Sequence, residues 1–382
     1  MRVALLTNFV PPYRVPFLQA LAARVDALRV LVSTPMEANR AWTPAWGDVD
    51  VVVQRTLSWR RRDPHPDGFE DVLTQHIPLD TLPRLAAFRP DVVVSGELGA
   101  RTAQALLYGM ATGTPVLVWA NLSERTEAGR GPARERLRRW ILPRASGVVV
   151  HGASAERYVI AHGAAPRRVF RHPQSPPVGA LAELPLARAE ADARRLLLVG
   201  QLIERKGVLP FLGALGQVAA ARPERAIALD VVGDGPQRAA VKACPTPPNL
   251  SIRLHGNIPY ERLPEPYGRA GIFALPTLAD EWAFVVNEAL AAGLPVLGSV
   301  HSQAAVELVE DGVHGWLFDP DAPGATRAAL ERALDTPTDA LARMRAAARE
   351  RGAAYTPEGL AGFMADAIEA VAAERGRTAA HG

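Results

Sequence analysis

The segment FALPTLADEWAFVVNEALAAGLPVLG at residues 273–298 contains one complete unit of the pattern that decides the fold. Phe273–Pro276 is a short apolar run that predicts a strand, and residues 277–282 form a loop. Ala283–Ala292 has the composition of a helix closed by Gly293, and a second apolar strand follows from Pro295. Strand, loop, helix and strand in this order are typical of a parallel sheet covered by helices.

The same alternation occurs along most of the chain, with a proline-rich interruption at residues 172–177. The predicted strands are Arg2–Thr7, Leu28–Ser33, Asp91–Gly96, Pro115–Trp119 and Gly147–His151 before this interruption, and Arg195–Gly200, Ala226–Gly233, Ser251–His255, Ile272–Pro276 and Pro295–Ser299 after it. Near-continuous apolar strands that alternate with helices indicate parallel sheets buried on both faces.

We therefore predict an α/β fold of two doubly wound, Rossmann-like domains that face a central cleft. Residues 1–172 form the first domain and residues 178–355 the second. Residues 356–382 hold a long C-terminal helix that returns to the N-terminal domain, followed by a tail. Ser154 is a predicted N-cap of the helix near residues 155–162.

Composition narrows the class of protein. A single cysteine, Cys244, excludes an internal disulfide framework and a thiolate metal cluster. No window approaches the ~20 apolar residues of a membrane span, and the apolar run at the start is too short for a signal peptide. We expect a cytoplasmic protein or one held peripherally on the inner membrane face. The arginine-rich stretch Arg130–Arg144 is a candidate membrane contact, with a solvated surface as the alternative, and we expect no nucleic-acid partner.

Two turns in the second half have features of an anion site. Gly200 ends a strand, and Arg205 and Lys206 follow just before a predicted helix. Fixed cations beside helix-start amides stabilise a departing diphosphate, although an exposed Arg-Lys pair in a turn is the alternative. The segment Gly233–Pro236, GDGP, also follows a strand, and its glycines allow close backbone approach. Neither turn matches a GxGxxG or Walker pattern, which disfavours dinucleotide and P-loop functions.

Three carboxylates lie in the opening segment. Asp280 and Glu281 flank the start of the helix, and Glu288 lies within an otherwise apolar helix. A carboxylate in such a helix needs partners, and the hydroxyls of a ribose are suitable ones. The alternative is that Asp280 is an N-cap and Glu288 points to solvent.

At this point the sequence resembles a known family. Asp280 and Glu288, separated by seven residues and followed by Ala289 and by GLPV at 293–296, resemble the hallmark of the group 1 retaining glycosyltransferases of the two-domain GT-B type. Lys206-Gly207, the GDGP turn, the loop at residues 255–259 and the segments at 307–312 and 315–318 match further motifs in the family's order. Two residues depart from it, since Asp280 replaces the usual glutamate and Gln201 the usual arginine.

The resemblance implies a retaining transfer of a hexosyl residue from a nucleotide diphosphate sugar to a glycan, lipid-linked or small-molecule acceptor. It implies no cofactor and no metal, since the two DxD spacings at residues 48–50 and 319–321 lie outside the donor motifs. Lys206 and Asp280 are the implied catalytic residues. The implied donor-binding residues are Gly200, Gln201, Arg205, Lys206, Gly235, Asn257, Ile258, Glu281, Trp282, Ala283, Phe284 and Glu288.

The N-terminal half is expected to bind the acceptor. Tyr13 and Arg14 follow the first strand, Glu97 follows a later one, and His151 is the best-placed histidine. A structural loop and a structural histidine are the alternatives for these positions. Two other functions stay open: a nucleotide-sugar 2-epimerase, which shares the fold, and a non-catalytic nucleotide-sugar-binding partner.

Overall fold

The computed structural model describes residues 1–37, 44–66 and 68–379 of the 382-residue chain. It divides into two compact units. Unit 1 comprises Met1–Pro177 together with Thr356–Gly382, and unit 2 comprises Val178–Tyr355. Strands and helices are numbered along the whole chain.

Unit 1 contains a seven-stranded parallel sheet in the order β3-β2-β1-β6-β7-β8-β9 and a separate two-stranded ribbon, β4-β5. The strands are β1 Arg2–Thr7, β2 Ala27–Val32, β3 Asp50–Val53, β4 Thr56–Pro64, β5 Glu70–Pro78, β6 Val92–Gly96, β7 Val116–Trp119, β8 Gly147–Val150 and β9 Val169–Arg171. The helices are α1 Val15–Ala22, α2 Thr81–Phe88, α3 Ala100–Thr112, α4 Glu124–Glu127, α5 Pro132–Ile141 and α6 Ala153–Ala161.

The sheet of unit 1 has an apolar core on each face. Val3 and Leu5 of β1 belong to one buried cluster, while Ala4 and Leu6 belong to another. Successive side chains of a strand point to opposite faces, so a strand covered on both sides is apolar throughout. This is why the continuous apolar runs of the sequence located the buried strands β1, β2, β6, β7 and β8. The edge strands β3 and β9, which are only partly buried, were not predicted.

The antiparallel ribbon β4-β5 was not predicted. Residues 57–62 are exposed, including Trp59 at 47% and the run Arg60-Arg61-Arg62. In β4 this exposure removes the apolar alternation by which strands are recognised, so the sequence contains no signal for the ribbon. Its long register, from Thr56 opposite Pro78 to Pro64 opposite Glu70, depends on backbone pairing instead.

Unit 2 contains a six-stranded parallel sheet in the order β12-β11-β10-β13-β14-β15. The strands are β10 Leu196–Val199, β11 Ile227–Val232, β12 Leu250–Gly256, β13 Ile272–Leu275, β14 Val296–Ser299 and β15 Gly315–Phe318. The helices are α7 Gly179–Ala182, α8 Val208–Ala220, α9 Arg238–Lys242, α10 Pro264–Arg269, α11 Phe284–Ala291, α12 Gln303–Leu308, α13 Ala325–Asp335 and α14 Thr338–Ala353.

The last helix, α15 Pro357–Ala379, belongs to unit 1. Leu360, Met364 and Ile368 are buried in the cluster that covers β1 and α1. The expected return of the C-terminal helix is therefore confirmed, and two doubly wound α/β units form the fold. Within the described residues, no helix combines the length and apolarity that a bilayer crossing requires.

Residues 178–195, which follow the proline-rich interruption, contain α7 and a 3-10 turn at Glu190–Asp192 and belong to unit 2. One local prediction needs correction. Ser154 is not an N-cap, because α6 starts at Ala153, two residues earlier than predicted, with Gly152 at its cap. The Ser154 hydroxyl instead donates to Glu124 at 3.1 Å.

Candidate functional site

Most of the candidate donor residues of unit 2 belong to the segments after β10 and β13, the two strands at which its strand order reverses. From β10 the chain proceeds outward to β11 and β12 on one side, and from β13 outward to β14 and β15 on the other. Loops after β10 and β13 therefore leave the same sheet edge in opposite directions, which opens a crevice at the carboxyl ends of the strands. The turn 200–207 follows β10 and the loop 276–283 follows β13.

The two loops are fastened to each other by backbone contacts. Leu278 donates its N–H to the Arg205 carbonyl at 2.8 Å, and the Thr277 hydroxyl donates to the same carbonyl at 3.1 Å. Gly207 has φ +65°, and a Cβ at this position would lie 2.1 Å from the Pro276 carbonyl oxygen. Only glycine fits this approach, so the cationic turn is held against the acidic loop.

Lys206 and Asp280 form an ion pair across these loops. The Arg205 guanidinium lies 3.8 Å from the same carboxylate oxygen and donates to the Ala279 carbonyl at 2.7 Å. Asp280 is only 8% exposed. Burial alone would raise the pKa of Asp280, but the charges of Lys206 and Arg205 and the hydrogen bond from Lys206 hold it below its usual value.

The backbone also restrains Asp280. Its N–H donates to the His301 carbonyl at 3.0 Å, and its Oδ1 accepts from the Trp282 N–H at 3.3 Å. The Trp282 indole donates to Asn287 at 2.9 Å. Ala283, which precedes α11, has a left-handed backbone with φ +69°, and for a residue with a Cβ such a conformation is strained. The helix start is thus held in an unusual geometry beside the ion pair.

Glu288 lies inside α11 and is 7% exposed. The Tyr267 hydroxyl donates to its Oε2 at 2.9 Å. Burial raises the pKa of Glu288 to about 7, although the hydrogen bond from Tyr267 opposes the shift. Two buried carboxylates on one loop-helix segment therefore have pKa values displaced in opposite directions, and such displaced values cluster at functional sites. Tyr267 was missed because its position in the sequence, 21 residues earlier, gives no hint of the contact.

The glycine turn after β11 packs directly on the turn after β10. Gly233 would bring a Cβ to within 1.9 Å of the Gly200 carbonyl oxygen, and Gly235 would bring one to 2.5 Å from that of Leu202. Gly233 also donates to the Gly256 carbonyl at 2.8 Å, which places the following Asn257 and Ile258 beside this turn. Close backbone packing therefore requires glycine at positions 233 and 235, whether or not a ligand binds here.

The remaining predicted donor residues differ in exposure. Gln201, Asn257 and Glu281 are exposed, whereas Trp282 is buried and Phe284 is half-buried. The Glu281 carbonyl accepts from Gln303 at 2.6 Å, so its backbone is anchored while its side chain faces outward. The family's arginine is expected at position 201, which is a glutamine in this chain. Arg205 supplies a nearby cation instead, on the Asp280 side of the site.

The predicted acceptor residues of unit 1 separate into two groups. Glu97 follows β6, next to β1 at the reversal of strand order in that sheet, and its side chain is exposed. Arg14 stacks over the Trp119 ring at 4.4 Å and donates to Gln174 at 3.0 Å, and Tyr13 beside it is half-buried.

His151 is 2% exposed, and both of its ring nitrogens contact protein groups. Its Nε2 accepts from the Trp119 indole at 2.6 Å, and its Nδ1 lies 2.8 Å from the His172 carbonyl. Burial lowers the pKa of His151 to about 3, so the ring is neutral. This geometry favours the structural alternative over the acceptor contact that the sequence suggested.

The arginine stretch 130–144 is largely engaged by acidic side chains. Arg134 and Arg138 both pair with Glu127, at 2.6 and 3.0 Å, and Arg130 pairs with Asp63 at 3.2 Å. This pairing reduces the positive charge that the stretch offers to an anionic surface.

One group of side chains in unit 2 has the spacing of metal ligands. His301 Nε2 lies 3.2 Å from Asp319 and 3.1 Å from Asp321, and both carboxylates are about half exposed. These are also the separations of ordinary ion pairs. The His301 backbone, rather than its ring, reaches the candidate site through its bond to Asp280.

A cavity of about 470 Å³ lies in unit 1 at the amino ends of β7 and β8, lined in part by Met110, Arg144 and Glu374. Ligands of doubly wound sheets bind at the opposite, carboxyl ends. We therefore do not assign the acceptor to this cavity.

Comparison with known proteins supports the interpretation of unit 2. Residues 193–336 match the model of the family described as Glycosyl transferases group 1. The resemblance to the group 1 glycosyltransferases is confirmed. A D-inositol 3-phosphate glycosyltransferase of Streptomyces griseus is 30% identical over 128 residues, which are 34% of this chain and 27% of that protein. The matched part is thus about a quarter of that relative's length.

Solved structures extend the likeness to the fold of the whole chain. Anabaena HepE in complex with UDP has a TM-score of 0.70 at 14% identity, over 97% of this chain and all of that one. Sucrose-phosphate synthase of Thermosynechococcus elongatus has a TM-score of 0.65 at 18% identity, over 100% of this chain and 98% of that one. At these identities the likeness concerns the fold, which is of the GT-B type.

Proposed function

We propose that this protein is a retaining glycosyltransferase that moves a hexosyl residue from a nucleotide diphosphate sugar to a glycan, lipid-linked or small-molecule acceptor. The observation that carries the proposal is the Lys206–Asp280 ion pair at the strand-order reversal of unit 2, beside the start of α11. A cation, a carboxylate and helix-start amides are the groups that a diphosphate joined to a sugar requires.

In the proposed reaction, Lys206 and Arg205 stabilise the negative charge that develops on the diphosphate as it departs. Asp280 holds Lys206 in place and accepts hydrogen bonds from donor sugar hydroxyls. Because diphosphate and Asp280 compete for the same cation, donor binding should lengthen or share the ion pair. The Arg205 contact at 3.8 Å leaves Asp280 a second cation when this happens.

Glu288 is proposed to bind the ribose hydroxyls of the nucleotide. Its Oε2 accepts from Tyr267, and a carboxylate oxygen can accept further hydrogen bonds. Ribose binding would favour the ionised carboxylate, opposing the effect of burial on its pKa. No metal or cofactor enters the proposed reaction. The HepE complex with UDP makes uracil the first nucleobase to test.

Titration calorimetry with UDP and GDP tests the proposal first, and we expect one of them to bind. Incubation with the matching nucleotide-sugar then separates the candidate functions. Slow release of the nucleoside diphosphate supports a transferase, an epimerised free nucleotide-sugar supports the 2-epimerase alternative, and binding without turnover supports a non-catalytic partner. A protein that binds neither nucleotide contradicts all three.

A further inference from the structure

In unit 1, the residues that follow β1 and β6 form a continuous polar network at the reversal of strand order. Asn8 follows β1, and its amide donates to the Glu97 carboxylate. The Arg101 guanidinium donates to the Asn8 side-chain oxygen at 2.5 Å and to the Ser33 hydroxyl at 2.6 Å. Its other terminal nitrogen lies 3.4 Å from the Gly96 carbonyl. Three loops at the carboxyl edge are therefore joined through one side chain.

The backbone of Glu97 is also held in place by hydrogen bonds. It has φ +69°, a left-handed conformation that is uncommon for a residue with a Cβ. Its N–H donates to the Trp119 carbonyl at 3.0 Å, and its carbonyl accepts from the Thr102 hydroxyl at 2.5 Å. A strained conformation persists only where the surroundings enforce it, and it is frequent where a side chain must be aimed.

The residues of this network differ in how far they are exposed to solvent. Arg101 is 3% exposed, and burial lowers its pKa. Glu97 at the other end is exposed. The guanidinium thus lies beneath the surface, where it orients Asn8, and the carboxylate is presented at the edge of the sheet. A pre-oriented acceptor of hydrogen bonds at this edge suits a ligand rich in hydroxyl groups, and it repels a phosphate.

We propose that Glu97 accepts hydrogen bonds from the acceptor substrate, that Asn8 and Arg101 are its positioning residues, and that the acceptor group bound here is an uncharged polyhydroxyl compound. This inference rests on the proposed glycosyl transfer and adds to it the class of acceptor. It also places the acceptor at the carboxyl edge of unit 1, by the same topological rule that places the donor in unit 2.

The test compares the full-length protein with Glu97→Gln, Asn8→Ala, Arg101→Met and Arg101→Lys. Each is assayed for nucleoside diphosphate affinity, for donor hydrolysis without acceptor, and for transfer to p-nitrophenyl hexosides and to hexose 6-phosphates. Gln104→Ala is the matched control, because Gln104 also lies on α3 but donates to the Pro78 carbonyl at 2.8 Å.

The wild type is expected to prefer the uncharged hexosides. Glu97→Gln should lower kcat/KM for them by about ten- to a hundredfold, as for a lost charged hydrogen bond, and should narrow the preference over hexose phosphates. Asn8→Ala and Arg101→Met should mainly raise the acceptor KM. Arg101→Lys keeps a cation at this position, so its acceptor KM should rise less than that of Arg101→Met. The affinity for the nucleoside diphosphate should stay unchanged in all four variants, and every readout should stay unchanged in the control Gln104→Ala.

Unchanged acceptor kinetics in Glu97→Gln would overturn the inference, as would a wild type that uses only phosphorylated sugars or neither class. A wild-type protein that does not bind the nucleoside diphosphate would instead contradict the proposed function. If Arg101→Met does not fold, Asn8→Ala and Glu97→Gln decide the matter, since neither residue is buried.

Discussion

At the scale of single residues, Lys206 and Asp280 combine two roles that can be separated experimentally. Lys206→Met leaves a carboxylate that is 8% exposed with Arg205 as its remaining cation, and we expect a loss of stability of about 3 kcal/mol. The double variant Lys206→Met with Asp280→Asn should recover most of it, because no buried charge is then unpaired. Calorimetric unfolding of the wild type, both single variants and the double variant measures this coupling.

Neither Lys206→Met nor the double variant should bind nucleotide as the wild type does, because both lack the Lys206 cation. Recovery of stability together with binding would show that Lys206 is not a donor contact. Additive losses of stability would show that the pair is weak.

Glu288 provides a pH-dependent prediction. Its pKa is about 7 in the folded protein against 4.5 for an unperturbed glutamate, so between these values the folded protein binds more protons than the unfolded chain. The contribution of Glu288 to stability therefore falls as the pH rises from 4.5 to 7. Glu288→Gln removes this dependence, and its stability relative to the wild type should rise by roughly 3 kcal/mol across this window.

Unfolding midpoints of the wild type and Glu288→Gln, measured from pH 4 to pH 8 at about one-unit steps, test the sign and the window. A difference that does not change with pH would place the Glu288 titration elsewhere. The same variant should bind nucleotide more weakly, so a gain in stability would accompany a loss of function.

At the scale of elements, the close approach between the turn after β10 and the loop after β13 is testable through Gly207. Gly207→Ala forces a Cβ toward the Pro276 carbonyl at a left-handed φ, and we expect a loss of more than about 2 kcal/mol together with weaker nucleotide binding. Gly213→Ala is the control, because that glycine lies within α8 with no heavy atom within 4 Å of the added Cβ. It should be neutral or stabilising by up to about 1 kcal/mol. Equal effects of the two substitutions on stability would contradict this account.

At the scale of the whole molecule, the proposed donor site relies on side-chain cations and helix-start amides in place of a metal ion. We expect EDTA to leave the affinity for the nucleoside diphosphate unchanged within about twofold, and added Mg²⁺ or Mn²⁺ to raise it by no more than that. Titration calorimetry under the three conditions measures this. A metal-dependent affinity would direct attention to His301 and its two aspartates, and His301→Ala would then be the variant to compare.

The sequence predicted the parts of the molecule that repeat a simple pattern. Most of the buried strands are continuous apolar runs. Lys206 lies in the turn after β10 and Asp280 in the loop after β13, as the sequence predicted, and Glu288 lies within the predicted helix, α11. Contacts between distant segments could not be predicted: the Tyr267–Glu288 bond, the Asn8–Glu97–Arg101 network and the burial of His151 depend on how strands are ordered. The ribbon β4-β5 was not predicted because the exposed residues of β4 have no periodic apolar pattern.

The most direct test of the central claim is a transfer assay in which the nucleoside diphosphate released and the anomeric configuration of the sugar product are followed together. The protein is incubated with a panel of nucleotide-sugars and analysed by mass spectrometry and NMR. We predict release of one nucleoside diphosphate with retention of configuration, reduced at least about 100-fold in folded Lys206→Ala and Glu288→Ala. Inversion, near-normal activity in either variant, or no release from any donor would contradict the account.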